Sequence, residues 1–209
     1  VLVNCVAYQE GRKIADIPKE AISDYVRRPD CFVWVALKDA DAAELETMRI
    51  EFNLHPLAVE DASHGHQRPK LEEYGDCLFA ALHLIELVGE DVHHGELAVF
   101  VGRNYVLTVR RRAERGLSEV RRRSETEPEL LRHGPGFVLY ALMDAAVDRY
   151  FPIVDAFEEE LEQIEERIFM QEAQRANIER LYELKRKVMT LRHAVAPLLD
   201  AIGKLYGGR

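Results

Sequence analysis

Cysteine is scarce: Cys5, Cys31 and Cys77 are too few and too widely spaced for a disulfide framework, and no C-x-x-C pair offers a thiolate zinc site. Free thiols of this kind fit a cytosolic compartment. Long apolar runs are also lacking. Cys77–Val88 is interrupted by His83 and Glu86 and Phe137–Val147 by Asp144, and both fall short of the ~20 residues that span a bilayer. The opening VLVNCVAYQEGRK has no basic segment followed by an apolar stretch and a small-residue cleavage site, so it does not read as a secretory signal. There is no P-loop, no G-x-G-x-x-G after a strand, no H-E-x-x-H and no G-x-S-x-G, and no enzymatic activity is expected. An excess of positive charge is missing too. The 28 Lys and Arg against 37 Asp and Glu leave −9, which argues against nucleic acid or an anionic membrane surface as a partner and favours cations.

What is present suits a globular α/β protein. Of the 209 residues 47% are hydrophobic and 31% charged, a composition with enough apolar surface for a core and long solvated helix faces around it. Leu2–Tyr8 is β-rich, and Pro18 starts a helical pattern through Ile22, Tyr25 and Val26. Cys31–Leu37 is a continuous apolar run of strand length, as expected of a strand covered by helices on both faces of its sheet. Asp39 or Asp41 can cap a helix that turns Leu45, Met48 and Phe52 to one side and ends at Asn53. Pro56 suits the first turn of a short helix ending near Gly65, after which HGHQRP is turn chemistry. Leu71–Val88, Leu97–Val101 and Tyr105–Val109 read as strands with bends at Gly89 and at Gly102-Arg103-Asn104. Such short connections require antiparallel neighbours, so a mixed sheet is expected.

From Phe137 the periodicity predicts two long helices, residues 137–169 and 174–206, with a break near Met170–Ala173 and a stop at Gly207-Gly208. The expected organisation is an α/β/α unit over 1–136, a mixed sheet sandwiched between helices, with an antiparallel helical hairpin over 137–209 packed on it as one structural unit. The hairpin is acidic: residues 151–175 hold eight carboxylates against Arg167 and Arg175. Residues 103–132 run the other way, with nine arginines against five glutamates, which reads either as a basic patch or as a solvated helix face laced with i,i+4 pairs.

The segment from His55 to Lys70 concentrates Glu60, Asp61, His64 and His66. On a helix Glu60 and Asp61 diverge by about 100°, so one ion cannot easily take both from one chain, and two separate half-sites are expected. Carboxylates suit Mg²⁺ and imidazoles suit softer divalent ions; the plainer alternative is exposed helix residues and loop histidines. Asp144 is the other informative acid. It falls among Phe137, Tyr140, Ala141, Val147 and Phe151, a face that reads as apolar, where a carboxylate needs either a hydrogen bond from a neighbouring Arg or Tyr or a cation.

HPLAVED followed by HQRPKLEEYGDCLF resembles the signature of the CorA-type magnesium and cobalt channel family. ELAVFVGRNYVLTVR, LYALMDAAVDRYFPIVDAFEEELEQIEERIF and LKRKVMTLRHAVAPLLDAIGKLY resemble the segments that follow it, in order and with similar spacing from about residue 30 to the end. The resemblance implies an α/β/α domain on the cytoplasmic side of the cell membrane, a pair of acidic helices, and then a stalk, two membrane spans and a Gly-Met-Asn filter that this sequence does not contain. It implies a homopentamer in the full-length protein, with this portion alone monomeric or weakly associated and unable to transport by itself. It further implies that Glu60, Asp61 and Asp144 match acidic positions of regulatory Mg²⁺ sites between subunits, with Co²⁺ as another ligand, whose occupancy holds the pore closed. Zinc-transporting relatives share the architecture, but the run His66-Gln67-Arg68-Pro69-Lys70 favours the magnesium and cobalt branch. A reading from another class is a helical-hairpin scaffold that binds a partner protein and no ion.

Overall fold

A computed structural model of the chain describes residues 1–65, 68–171 and 174–206. Seven strands form one mixed sheet in the order β2-β1-β3-β7-β6-β5-β4. They are β1 (Leu2–Gln9), β2 (Arg12–Asp16), β3 (Cys31–Lys38), β4 (Lys70–Tyr74), β5 (Cys77–Val88), β6 (Asp91–Val101) and β7 (Tyr105–Arg111). Only β3 and β7 run parallel; the hairpin-connected neighbours are antiparallel, as their short links demand. The sheet is mixed because the chain leaves it after β3 and returns through β4, on the far edge.

Both faces are covered. Helices α1 (Ile22–Val26), α2 (Ala42–Phe52) and α3 (Pro56–His64) lie on one side, and α4 (Ser118–Glu125), α5 (Pro128–Leu131), α6 (Pro135–Asp148), α7 (Phe151–Phe169) and α8 (Gln174–Tyr206) on the other. Alternation along β3 explains why its apolar run is continuous. Val33, Val35 and Leu37 enter the core beneath α1 to α3, while Phe32 and Trp34 enter the opposite core with Leu139, Leu142 and Ile153. Asp41 is the residue that caps α2: its carboxylate accepts the Glu44 amide at 2.8 Å, and Glu44 accepts the Asp41 amide at 3.2 Å. This reciprocal box contributes about 1 kcal/mol. Asn53 ends α2 in the left-handed conformation, φ 50°.

Several elements differ from the sequence reading. Leu71–Val88 is two strands, folded back at Gly75-Asp76 so that Leu71 faces Ala80. β6 begins at Asp91, six residues earlier than its apolar stretch, because the strand extends past the core as a hairpin with the end of β5. β2 and the short helices α4 and α5 carried too little periodicity to be read. The helix expected over 137–169 is divided at Arg149-Tyr150: α6 lies against β5, β6 and β7, and only α7 pairs with α8 as the antiparallel hairpin. Pro152, in the first turn of α7, marks the division, since its ring cannot continue a helix already under way. His66, Gln67, Glu172, Ala173 and Gly207–Arg209, which include half of the expected break at Met170–Ala173 and the expected stop at Gly207-Gly208, lie outside the described residues.

Candidate functional site

The three carboxylates picked out by sequence fall on opposite faces of the sheet. Glu60 and Asp61 ride on α3, whose Ala58 and Ala62 are buried against one core. Asp144 rides on α6, whose Val138, Leu139, Leu142 and Ala146 are buried against the other. One chain therefore cannot bring all three to a single ion.

Around Asp61 the structure supplies partners the sequence reading missed. Lys70, the first residue of β4, reaches Asp61 Oδ2 on α3 at 2.7 Å and Glu72 Oε2 at 2.9 Å. Tyr74 donates its hydroxyl to Glu72 at 2.8 Å. Burial by itself would lower the Lys70 pKa, but the hydrogen bonds to both carboxylates outweigh it and hold the ammonium above its ordinary value. Glu72 is shifted down, chiefly by its bond to Lys70. One ammonium thus serves two carboxylates, and the trio keeps a net negative charge. The pattern that could have signalled this is the alternation Lys70-Leu71-Glu72, which puts both charges on one side of a strand.

Glu60 is exposed, and its side chain makes no hydrogen bond or ion pair among the described residues; its carbonyl contacts His64 Nδ1 at 3.0 Å. Asp144 is also without a side-chain partner among the described residues, which corrects the expectation that it sits on a buried apolar face. The buried stripe of α6 is Val138, Leu139, Leu142 and Ala146, while Tyr140 is 62% exposed. Asp144 therefore lies half-buried, in a groove of about 320 Å³ between α4 and α6. Glu119, Glu127 and Asp148 share this groove with Arg123 and Arg149. Among the described residues no three His, Cys, Asp or Glu side chains converge to hold an ion within one chain, and no helix is long and apolar enough to cross a membrane.

The Arg-rich segment resolves into local pairs. Arg122 with Glu119, Arg121 with Glu125, Arg123 with Glu127 and Arg132 with Glu129 are three or four residues apart on helical turns. This matches a solvated helix face. Arg149 and Arg110 do different work. Arg149 donates to the Gly116 carbonyl at 2.7 Å, and Arg110 binds the carbonyls of Ala113 and Arg115, so both brace the loop leading into α4.

The family model described as CorA-like Mg²⁺ transporter protein matches residues 30–208. The chain belongs to this CorA-like family. It is 30% identical over 197 residues to the protein YfjQ of Bacillus subtilis, covering 94% of this chain and 60% of that relative. It is 28% identical over 159 residues to the cobalt/magnesium transport protein CorA of Thermotoga maritima, covering 74% of this chain and 45% of that protein. The chain thus spans about half the length of these CorA-like relatives. Its fold is shared with the soluble domain of CorA from Methanocaldococcus jannaschii, with a TM-score of 0.73 at 19% identity over 96% of this chain and 78% of that one. The mixed sheet with helices on both faces and a long final helix is therefore the CorA soluble-domain fold.

Proposed function

We propose that this chain is the cytoplasmic, metal-sensing part of a CorA-type divalent-cation channel, and that Mg²⁺, or Co²⁺ in its place, binds Glu60, Asp61 and Asp144 where neighbouring chains of a homopentamer meet. The observation that carries the reading is the placement of Glu60 and Asp144, neither with a side-chain partner among the described residues, on opposite faces of one sheet. Carboxylates so separated within a chain can share an ion only when the α3 side of one subunit approaches the α6 side of the next. Without a cation such acids repel across the interface, and a hydrated Mg²⁺ bridging them removes the repulsion and holds the closed ring. Loss of the ion then biases the assembly toward opening.

The three acids contribute unequally. Asp61 already has Lys70 at 2.7 Å, so a cation gains less there than at Asp144, which makes no ion pair among the described residues. In the full-length protein at fixed ionic strength, Mg²⁺ is expected to protect against proteolysis by stabilising the closed assembly. Asp144→Asn should shift the protection midpoint to higher Mg²⁺ by several-fold, Asp61→Asn by less, and Glu158→Gln on the solvated acidic helix hardly at all. Superimposable curves for Asp144→Asn and the parent would remove Asp144 from metal sensing. The alternative of a metal-free hairpin scaffold draws on exposed Phe151, Ile168, Phe169 and Leu199 along α7 and α8. It predicts capture of a partner protein that Mg²⁺ leaves unchanged.

A further inference from the structure

A cleft of about 540 Å³ opens at the end of the sheet where α2 stops, α3 starts and the β4-β5 and β6-β7 turns meet. This is the size of pockets that hold small molecules, typically ~300–1,000 Å³. It lies away from Asp144, and none of the three candidate metal carboxylates lines it.

Its wall is aromatic and its mouth is basic. The His55 ring stacks on Tyr74 with centroids 4.7 Å apart and planes at 21°. His55 Nδ1 accepts the Leu57 amide at 3.2 Å, so that nitrogen is unprotonated, and in the neutral ring Nε2 carries the hydrogen and remains a donor. Arg103, in the β6-β7 turn, is exposed and makes no ion pair among the described residues. Asn104 beside it donates to the Val26 carbonyl at 2.9 Å, fixing the turn that presents Arg103. Arg49 from the last turn of α2 adds a second cation, held by Glu46 at 2.7 Å, and Asp76 is the one acid among the described residues of the lining. In a chain of net charge −9 the described lining of this cleft carries two arginines against one acid, and the N-terminus of α3, the positive end of its dipole, borders it at Pro56.

We propose that the cleft binds a small planar anion, an aromatic ring carrying a phosphate or a carboxylate. The His55-Tyr74 stack receives the ring and Arg103, with Arg49, receives the anionic group. A bare cation is disfavoured by the arginines, and a bare anion would leave the aromatic wall unused. The proposal does not depend on the metal-sensing reading, although α3 also carries Asp61 and β4 also carries Lys70, which join the two places.

The test titrates the 209-residue chain, free of divalent cations, with AMP, benzoate, adenosine and inorganic phosphate, following backbone amide shifts by NMR. AMP or benzoate should saturate with a Kd of about 1 mM or tighter. Inorganic phosphate and adenosine, each with half of the recognition elements, should bind at least about tenfold more weakly than AMP if AMP is the tighter ligand. Arg103→Glu at this exposed turn should weaken binding about tenfold or more without changing the melting temperature, and Tyr74→Leu should weaken it comparably. Arg12→Glu, on the far edge strand, should bind as the parent does. Absence of saturation by both AMP and benzoate in that range, or undiminished binding by Arg103→Glu, would overturn the proposal.

Discussion

Replacing Glu86 by Gln tests how the α6 side of the molecule is held to the sheet. Glu86 is 6% exposed on β5, and its two oxygens accept the amides of Glu114 and Arg115, each at 3.0 Å. Arg149, at the break between α6 and α7, places Nη1 3.6 Å from the same carboxylate and donates Nη2 to Gly116. Burial lowers the Arg149 pKa and the Glu86 charge opposes that shift, so the carboxylate offsets part of the desolvation of this half-buried guanidinium. Glutamine turns one acceptor into a donor that faces a backbone N–H. The lost charge-assisted bond costs ~1.5–3 kcal/mol. Removing one member of a buried pair costs ~3–5 kcal/mol when desolvation is complete. Because the Arg149 side chain retains 17% exposure, we expect the low end, about 3 kcal/mol in all. For a chain of this size that lowers the melting temperature by about 6–12 °C. Thermal and urea melts followed by circular dichroism would measure it for the parent, Glu86→Gln, Arg149→Met and the double variant, with a coupling of about 1 kcal/mol or more between the two sites. Hydrogen exchange at the Glu114 and Arg115 amides should accelerate in Glu86→Gln. A melting temperature within about 2 °C of the parent, with those amides still protected, would refute the argument.

Gly11→Ala should cost about 2–4 kcal/mol, because φ is +75° and the new Cβ would lie 2.0 Å from the Pro128 carbonyl oxygen, whereas Gly75→Ala, with φ +61° and open space around it, should cost only about 1 kcal/mol; urea melts compare them. Glu72 has a folded pKa below its ordinary 4.5, so its contribution is present above that value and lost as pH falls through the folded pKa. The stability gap between the parent and Glu72→Gln should therefore be constant through neutral pH and close in acid; a gap that does not change with pH would show that charge is irrelevant there. Lys70 is raised above its ordinary 10.5, so its contribution is complete below that pH and lost only as pH rises through the folded value, visible as an alkaline loss of stability that Lys70→Met lacks.

Much of the framework was legible because it is local. The apolar run of β3, the capping signal at Asp41 and the αL stop at Asn53 each specify a backbone outcome within a few residues. The order of motifs along the chain was likewise enough to indicate the CorA-like family, since order and spacing survive where overall identity is low. The division of residues 137–169 was also written locally, in Pro152, yet the longer apolar periodicity on either side masked it. Tertiary structure decided what depends on long-range neighbours. The sequence allows two settings of the apolar face of α6, and packing against β5 to β7 chose the one that turns Asp144 to the groove beside α4. Strand pairing and helix docking set Lys70 between Asp61 and Glu72, so one of three similar carboxylates already shares an ammonium, while Glu60 and Asp144 have no such partner among the described residues. Periodicity reports which residues can share a face, but the partner that face meets is a property of the folded chain, and the charge left over at each carboxylate follows from that partner.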